Sequence, residues 1–367
     1  EADVRANARH FKKLRFSLFG GRYVHPTAKP FLDDAGRPTD DGSFSHRPNP
    51  AWFHSRADVA VRAAADTDLI ADLILSGPDT HHSRAVLEAA RNGGDAAPFL
   101  RYVAARYGSY PNVWLCLANE WNIKKPRYAA KEIIAAGRTL RKLLPYPTPV
   151  SVHGNTGDWD AALNTDPPWN DHVILQNKIR TLPLSADFLE RNHRIGSDKP
   201  LINDELGYEG RGDRFTRDDV IEGHLGAFLG GGYGTTGWKP ASKKGHYFWG
   251  AFKASEHSAA AHLAWLRHAI DEHVTFWKME PVNTAAVFAN AGTNARAMAW
   301  HGREVVLGTN AARKGIVAKL PKGRWEGQQF DVIARKHTVL GQSTGGTVRF
   351  SVPPSRAVLT HFRIVSE

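Results

Sequence analysis

Short apolar runs alternate with longer amphipathic stretches from about residue 10 to residue 275. The apolar runs predict strands, and the stretches between them predict helices. The seven predicted strands lie at 15–19, 69–75, 112–118, 149–152, 172–176, 200–203 and 233–236. Because these runs are apolar almost throughout, they indicate a parallel sheet covered by helices. Repeated strand–helix units of this kind fit a closed (β/α)8 TIM barrel better than an open sheet.

The count of strands is one short of a complete barrel. The sequence opens on a helical segment at 2–14, and the first apolar run follows it. A complete eight-stranded barrel therefore requires its first strand to come from upstream residues or from another chain.

The pattern changes after Pro281. Short alternating strands separated by Gly, Pro and Asn turns are predicted from there to the end of the sequence. They lie at 285–289, 295–300, 304–309, 315–320, 325–331, 347–352 and 357–365. Strands at this spacing are typical of an antiparallel β-sandwich. We therefore expect a barrel domain at 1–281 and a small sandwich domain at 282–367.

Composition narrows the class of partner. The 367 residues carry a formal charge of +11, but Lys and Arg are spread along the chain and mixed with acids, so no nucleic-acid partner is expected. An acidic polysaccharide remains one use of the surplus charge, beside a generic basic surface. No apolar run is long enough for a membrane helix, and the single cysteine, Cys116, excludes an internal disulfide. A secreted or periplasmic location is favoured, which requires that a signal peptide has been removed.

Two glutamates directly follow predicted strands. Glu120 closes the run 112–118, with Asn119 before it and Trp121 after it, and Glu205 follows the short run 200–203. Carboxylates at the C-terminal ends of barrel strands are candidates for catalysis. Hydrolysis of a glycosidic bond needs two such groups, one to protonate the departing oxygen and one to attack or to activate water. The two lie three strand–helix units apart, which would put them across the mouth of the barrel.

Alternatives stay open for both glutamates. Glu120 could cap the helix that follows it. Glu205 could be a structural ion-pair partner, with Asp204 or Glu209 as the nucleophile, because three acids crowd within six residues there.

The motifs around these glutamates resemble a known family. They are Arg106-Tyr-Gly-Ser-Tyr-Pro-Asn-Val-Trp, then Asn119-Glu120, then Lys199-Pro-Leu-Ile-Asn-Asp-Glu205-Leu-Gly-Tyr-Glu-Gly, and the Gly-rich segment Gly230 to Trp238. This arrangement is similar to clan A of the retaining glycoside hydrolases, and within it to the apiosidase-like group of bacterial glycosidases.

The resemblance implies specific roles. Glu120 would be the acid/base and Glu205 the nucleophile, at the ends of the fourth and seventh barrel strands, and Asn119 would bind the sugar 2-hydroxyl. The strands seen here would then be the second to the eighth. A retaining mechanism also implies carboxyl groups about 5 to 5.5 Å apart. Where the clan often has an aromatic or His residue on the sixth strand, this sequence has Gln176-Asn177.

Further residues at strand ends or in the long loop 20–54 are candidates for binding substrate. They are Trp121, His153, Gln176, Tyr208, Trp238, Lys239, His25 and Trp52. Aromatic faces can stack on sugar rings, and Lys239 could meet a substrate carboxylate. His153 could instead only cap its strand.

The eighteen histidines do not predict a metal centre, because no paired spacing lies at a strand end beside carboxylates. No cofactor is expected, and the sequence does not predict an oligomeric state. Two other functions remain: a non-catalytic carbohydrate-binding barrel, and a lyase acting on an acidic polysaccharide.

Overall fold

The computed structural model divides the chain into two compact units. The first is Glu1–Gln176 with Ser242–Ala254, and the second is Asn177–Ala241 with Ser255–Glu367. The structure describes residues 1–18, 29–39, 47–76, 97–123, 128–155, 157, 159–163, 168–196, 198–210, 214–238 and 256–366.

The first unit is built on parallel strands. Its strands are β1 (Lys13–Ser17), β2 (Phe31–Leu32), β3 (Pro38–Thr39), β4 (Arg47–Pro48), β5 (Ile70–Ile74), β6 (Val113–Cys116), β7 (Val150–Ser151) and β8 (Val173–Leu175). The order β1-β5-β6-β7 is parallel throughout, and a parallel bridge from His153 to Ile174 sets β8 beside β7. Strands β2 to β4 form a separate small antiparallel sheet.

Helices of the first unit alternate with these strands. They are α1 (Ala2–Ala8), α2 (Pro50–Ser55), α3 (Ala57–Ala65), α4 (Ala97–Tyr107) and α5 (Ala130–Leu143). Their buried faces pack on apolar strands, as at Leu73 and Leu115, which are fully buried. Helix α5 needs a glycine at its contact with Trp169, because a Cβ at Gly137 would lie 2.1 Å from the indole ring.

The second unit begins with the same strand–helix alternation. Helix α6 (Leu182–Gly196) precedes β9 (Leu201–Glu209), α7 (Arg217–Leu229) precedes β10 (Tyr233–Trp238), and α8 (Ala260–His273) follows. Strands β9 and β10 are parallel neighbours. Thr216 and Asp219 form a capping box that starts α7.

The rest of the second unit is antiparallel. It holds β11 (Glu280–Val282), α9 (Thr284–Val287), β12 (Phe288–Ala289), β13 (Arg296–Trp300), β14 (Glu304–Thr309), β15 (Arg313–Leu320), β16 (Arg324–Asp331), β17 (Lys336–Ser343), β18 (Gly346–Val352) and β19 (Val358–Ser366). Six strands form one sheet in the order β11-β13-β14-β19-β16-β17, and β12-β15-β18 form another. Side chains of both sheets, among them Trp325, Phe288 and Phe350, share one apolar core.

A partly buried ion pair joins the antiparallel part to α7. Arg356 donates to the nearly inaccessible Glu222 at 2.8 Å and to Asp219 at 3.0 Å. Burial raises the pKa of Asp219, but hydrogen bonds from Thr216 and Arg356 outweigh it and hold that pKa below its usual value.

Most of the predicted elements are present. All seven parallel strands occur, and Glu120 follows the third of them in the described part of the chain, as the sequence predicts. The strand predicted at 285–289 was wrong in part, because residues 284–287 are helical and only Phe288–Ala289 are extended. One strand, β17, was not predicted. The domain boundary at residue 281 stays a prediction. Among the described residues, no helix has the length and apolarity required to traverse a bilayer.

Candidate active site

Polar residues of the first unit gather where neighbouring parallel strands end. Asn119 and Glu120 follow β6, His153 follows β7, and Gln176 follows β8. Because these strands are parallel and adjacent, their C-terminal ends lie at one edge, where sites of α/β folds are built.

Glu120 is half-buried and has an unusual backbone. Its φ of +47° lies in the left-handed region, which a residue with a side chain rarely adopts and which often marks a functional position. Its carbonyl accepts from the Ile123 amide, so the chain turns directly into a 3-10 helix at Trp121–Ile123. Its side-chain Oε1 accepts hydrogen bonds from Asn155 Nδ2 at 2.9 Å and from Gln176 Nε2 at 3.0 Å.

Asn119 is buried and its amide orientation is fixed by two donors. Its Oδ1 accepts from an Arg15 guanidinium nitrogen at 2.7 Å and lies 2.5 Å from His153 Nδ1. Because Oδ1 accepts from Arg15, we assign the proton of the His153 ring to Nδ1. The Asn119 Nδ2 group is thereby left as the donor that a ligand could meet.

Sequence reasoning missed Arg15 and its partner Asp72. Arg15 Nε lies 3.7 Å from the fully buried Asp72 carboxylate, which also receives Lys13 Nζ at 3.1 Å. A second guanidinium nitrogen of Arg15 donates to Cys116 Sγ at 3.3 Å. The sequence did contain a signal for this pair, because Arg15 and Asp72 are each a charged residue within an otherwise apolar predicted strand. A charged side chain that is buried needs a partner of opposite charge.

Glu205 lies in the second unit, within an irregularity of β9. Asn203 is paired with Gly234 and Gly207 with Thr236, so residues 204–206 lie opposite a single residue of β10. Such a bulge bends a strand and re-aims its side chains, and bulges are frequent beside active sites.

The bulge is held by side chains of β10. Thr235 Oγ1 donates to the Asp204 carbonyl at 2.5 Å, and Thr236 Oγ1 donates to the Gly207 carbonyl at 2.6 Å. These hydroxyls satisfy backbone acceptors on either side of Glu205, which is itself buried with 7% of its surface exposed.

Glu209, the alternative acid on β9, is committed to the start of helix α8. Its Oε2 accepts from the Ala259 amide at 2.8 Å, and its Oε1 accepts from both the amide and the hydroxyl of Ser258. His257 Nε2 lies 3.4 Å from the same carboxylate. These contacts hold the Glu209 carboxylate on the backbone immediately before α8.

The chain matches a family model over residues 23–238, which is more than half of its length. That family is described as apiosidase-like, catalytic domain. The chain belongs to the apiosidase-like family.

Solved structures with the same fold as this apiosidase-like chain are glycoside hydrolases. A Bacteroides vulgatus protein assigned as a glycoside hydrolase is 22% identical with a TM-score of 0.72, over 99% of this chain and 75% of that one. A family 5 glycoside hydrolase from the same organism is 14% identical with a TM-score of 0.73, over 99% and 85% of the two chains. A third structure, a glycoside hydrolase, is 15% identical with a TM-score of 0.75, over 100% and 88%. A search of curated proteins gave no significant match.

The other predicted site residues of the apiosidase-like chain that the structure describes are aromatic side chains that are buried or half-buried. Trp121 is buried, with its amide donating to the His153 carbonyl at 3.0 Å, and Trp52 is buried in α2, with its ring 4.9 Å from that of Phe53. Tyr208 is buried in β9, with Lys178 Nζ 5.4 Å from its ring centroid, and the half-buried Trp238 ends β10. His25 and Lys239 lie outside the described residues.

An open cavity of about 450 Å³ lies beside the C-terminal end of β9. It is lined by Glu209, Gly210, Arg214, Phe215, Thr216 and Arg217. Arg214 has a left-handed φ of +59°, and Arg180 stacks on the Phe215 ring at 4.0 Å. The cavity walls therefore carry basic and aromatic side chains beside the Glu209 carboxylate.

Histidines of this chain are used for packing or orientation in several places. His224, for example, is half-buried in α7, its Nδ1 donates to the Val220 carbonyl at 2.7 Å, and desolvation lowers its pKa to about 4. Among the residues that the structure describes, no group of three or more His, Cys, Asp or Glu side chains could hold a metal ion.

Proposed function

We propose that this protein is a retaining glycoside hydrolase, with Glu120 as the acid/base and Glu205 as the nucleophile, on a (β/α)8 barrel. The position of Glu120 carries the proposal: it follows a parallel strand with a left-handed backbone conformation, and its carboxylate accepts hydrogen bonds from two amides. Membership of the apiosidase-like family supports a glycosidase function.

In the proposed reaction, the Glu205 carboxylate attacks the anomeric carbon while Glu120 gives its proton to the departing glycosidic oxygen. The carbon–oxygen bond breaks, its electron pair stays on that oxygen, and a covalent glycosyl-enzyme forms. Glu120, now ionised, takes a proton from water, and the resulting oxygen nucleophile releases the sugar from Glu205. Glu205 is favoured over Glu209 because the Glu209 carboxylate is held by backbone amides immediately before α8.

Asn119 is proposed to donate from Nδ2 to the sugar 2-hydroxyl. The proposal is supported by the contacts of its Oδ1 with Arg15 and His153, which orient the amide. His153 thus supports Asn119 from its buried position. Contacts of Trp121, Gln176, Tyr208, Trp238, Lys239, His25 and Trp52 with substrate stay predictions.

The stereochemistry of the product distinguishes the proposed mechanism from its rivals. Proton NMR during the first minutes of hydrolysis is expected to show a sugar with the anomeric configuration of the substrate, because two displacements invert it twice. The opposite anomer would contradict the covalent mechanism. A lyase would instead form an unsaturated product that absorbs in the ultraviolet, and a binding barrel would form none. The matched control for Glu120→Gln is Glu280→Gln, which makes the same substitution at an exposed position of β11 and should leave the rate of hydrolysis unchanged.

An acidic glycan is the proposed substrate class, supported by Arg214 and Arg217 in the wall of the cavity beside β9. Arg214→Ala is expected to lower kcat/KM on uronic-acid polysaccharides about 10- to 100-fold, the effect of losing a charge-assisted hydrogen bond. Reducing-sugar release from polygalacturonate, alginate and neutral arabinans would measure it, with the exposed Arg324→Ala as control. Hydrolysis of neutral glycans only, unaffected by Arg214→Ala, would contradict the acidic substrate.

A further inference from the structure

Two neutral amides converge on one oxygen of the Glu120 carboxylate. Asn155 Nδ2 and Gln176 Nε2 both donate to Oε1, at 2.9 and 3.0 Å. They come from the segments that follow β7 and β8, the next two parallel strands along the chain after β6, which Glu120 follows. We call this arrangement, Asn155 and Gln176 on Oε1, the amide clamp.

The clamp is itself supported by backbone contacts. The Asn155 amide nitrogen donates to Asn122 Oδ1 at 2.6 Å, which ties it to the 3-10 helix that follows Glu120. Gln176 is 7% exposed and its backbone bridges to Gly157. The position of both amides is therefore fixed by the strand ends as well as by Glu120.

An amide NH2 group can donate but cannot accept. A proton on Oε1 would point at two N–H groups, whereas the carbonyl oxygen of a neutral carboxylic acid accepts from both. The clamp therefore keeps Oε1 as the acceptor and leaves the acidic proton on Oε2. Because the donors are uncharged amides, they fix the carboxyl group without placing a positive charge beside it.

We propose that Asn155 and Gln176 are positioning residues that select Oε2 of Glu120 as the proton-donating oxygen. This inference rests on the proposed function. In the first step the Oε2 proton passes to the glycosidic oxygen while the bond between that oxygen and the anomeric carbon breaks. Oε2 keeps the electron pair of its former O–H bond. In the second step Oε2 takes one proton from water. Neither amide exchanges a proton.

The test is the dependence of rate on the leaving group. Gln176→Met and Asn155→Ala remove one donor each, and they are assayed on phenyl and 2,4-dinitrophenyl glycosides of the sugar that the wild-type enzyme releases. The phenyl glycoside needs its departing oxygen to be protonated by the general acid, whereas dinitrophenolate is a stable anion that departs without protonation. We expect kcat/KM for the phenyl glycoside to fall about 10- to 100-fold, as for a catalytic group displaced by about 1 Å, and kcat/KM for the dinitrophenyl glycoside to change less than about threefold.

Controls separate the failure of this inference from the failure of the proposed function. Gln342→Met makes the same substitution at an exposed position of β17 and should leave both rates unchanged. An equal loss on both glycosides in the clamp variants, with Glu120→Gln still selective for the phenyl glycoside, would overturn the positioning role alone. If Glu120→Gln lacks that selectivity, or the wild-type enzyme hydrolyses no glycoside, the proposed function fails and the inference with it. Thermal unfolding identifies a folding defect in either clamp variant. If one variant is defective, the leaving-group dependence of the other tests the positioning role.

Discussion

Replacement of Glu205 by Ala is expected to lower the rate of hydrolysis on the order of 10⁴- to 10⁶-fold, the range seen when a member of a covalent catalytic group is removed. Without the carboxylate no glycosyl-enzyme can form, and the truncated side chain leaves room for a small anion. Azide should then attack the anomeric carbon from the side that Glu205 occupied and give a glycosyl azide of inverted configuration. Proton NMR of the azide product measures this outcome.

Glu209→Ala is the matched comparison for this prediction. Glu209 accepts hydrogen bonds from the backbone immediately before α8, so its loss should cost about 1 to 3 kcal/mol of unfolding free energy, because a buried amide donor loses its acceptor. The folded fraction should retain hydrolysis and form no azide product. If Glu205→Ala stays active while Glu209→Ala yields the inverted azide, the nucleophile has been assigned to the wrong acid.

The parallel strands could be predicted because burial on both faces leaves a direct trace in the sequence. Strand β6 at Val113–Cys116 falls inside the predicted run 112–118, and β5 at Ile70–Ile74 falls inside 69–75. Both strands are covered by helices and by their neighbours, so their residues are apolar almost without interruption.

Elements with weak burial could not be predicted. Strand β17 pairs only with β16 at the edge of its sheet, and most of its side chains are exposed, with Val339 at 73%. No alternating apolar face marks it. The helix α9 was predicted as a strand because its residues are small and apolar, whereas the Asn283 side chain caps it by accepting from the Ala285 amide.

The candidate site also contains residues that could be predicted from the sequence and contacts that could not. Glu120 could be proposed from its position after an apolar strand, which is a local feature. Gln176 was proposed as a substrate-binding residue, but the hydrogen bonds of Gln176 and Asn155 with Glu120 could not be predicted, because the two residues lie 56 and 35 positions away along the chain. Arg15 meets Asn119 across 104 residues. The bulge that holds Glu205 depends on hydroxyl groups of a neighbouring strand and leaves no signature in β9 itself.

Glu120→Gln should give the complementary result to the loss of Glu205. Removing the general acid should lower kcat/KM for a phenyl glycoside about 10²- to 10⁴-fold, while a dinitrophenyl glycoside still forms the glycosyl-enzyme at close to the normal rate. Hydrolysis of that intermediate then becomes slow, because no base deprotonates water. Azide needs no base, so it should raise kcat for the dinitrophenyl glycoside.

The configuration of the azide product then assigns the two carboxylates by opposite outcomes. In Glu120→Gln azide attacks a glycosyl-enzyme that has already been inverted once, so the glycosyl azide should retain the configuration of the substrate. In Glu205→Ala it should be inverted. Products of the same configuration from both variants would contradict the pairing of an acid/base with a nucleophile. If Glu120→Gln lowers kcat/KM equally for both aryl glycosides, Glu120 is a structural residue, and its hydrogen bonds with the two amides only stabilise the strand ends.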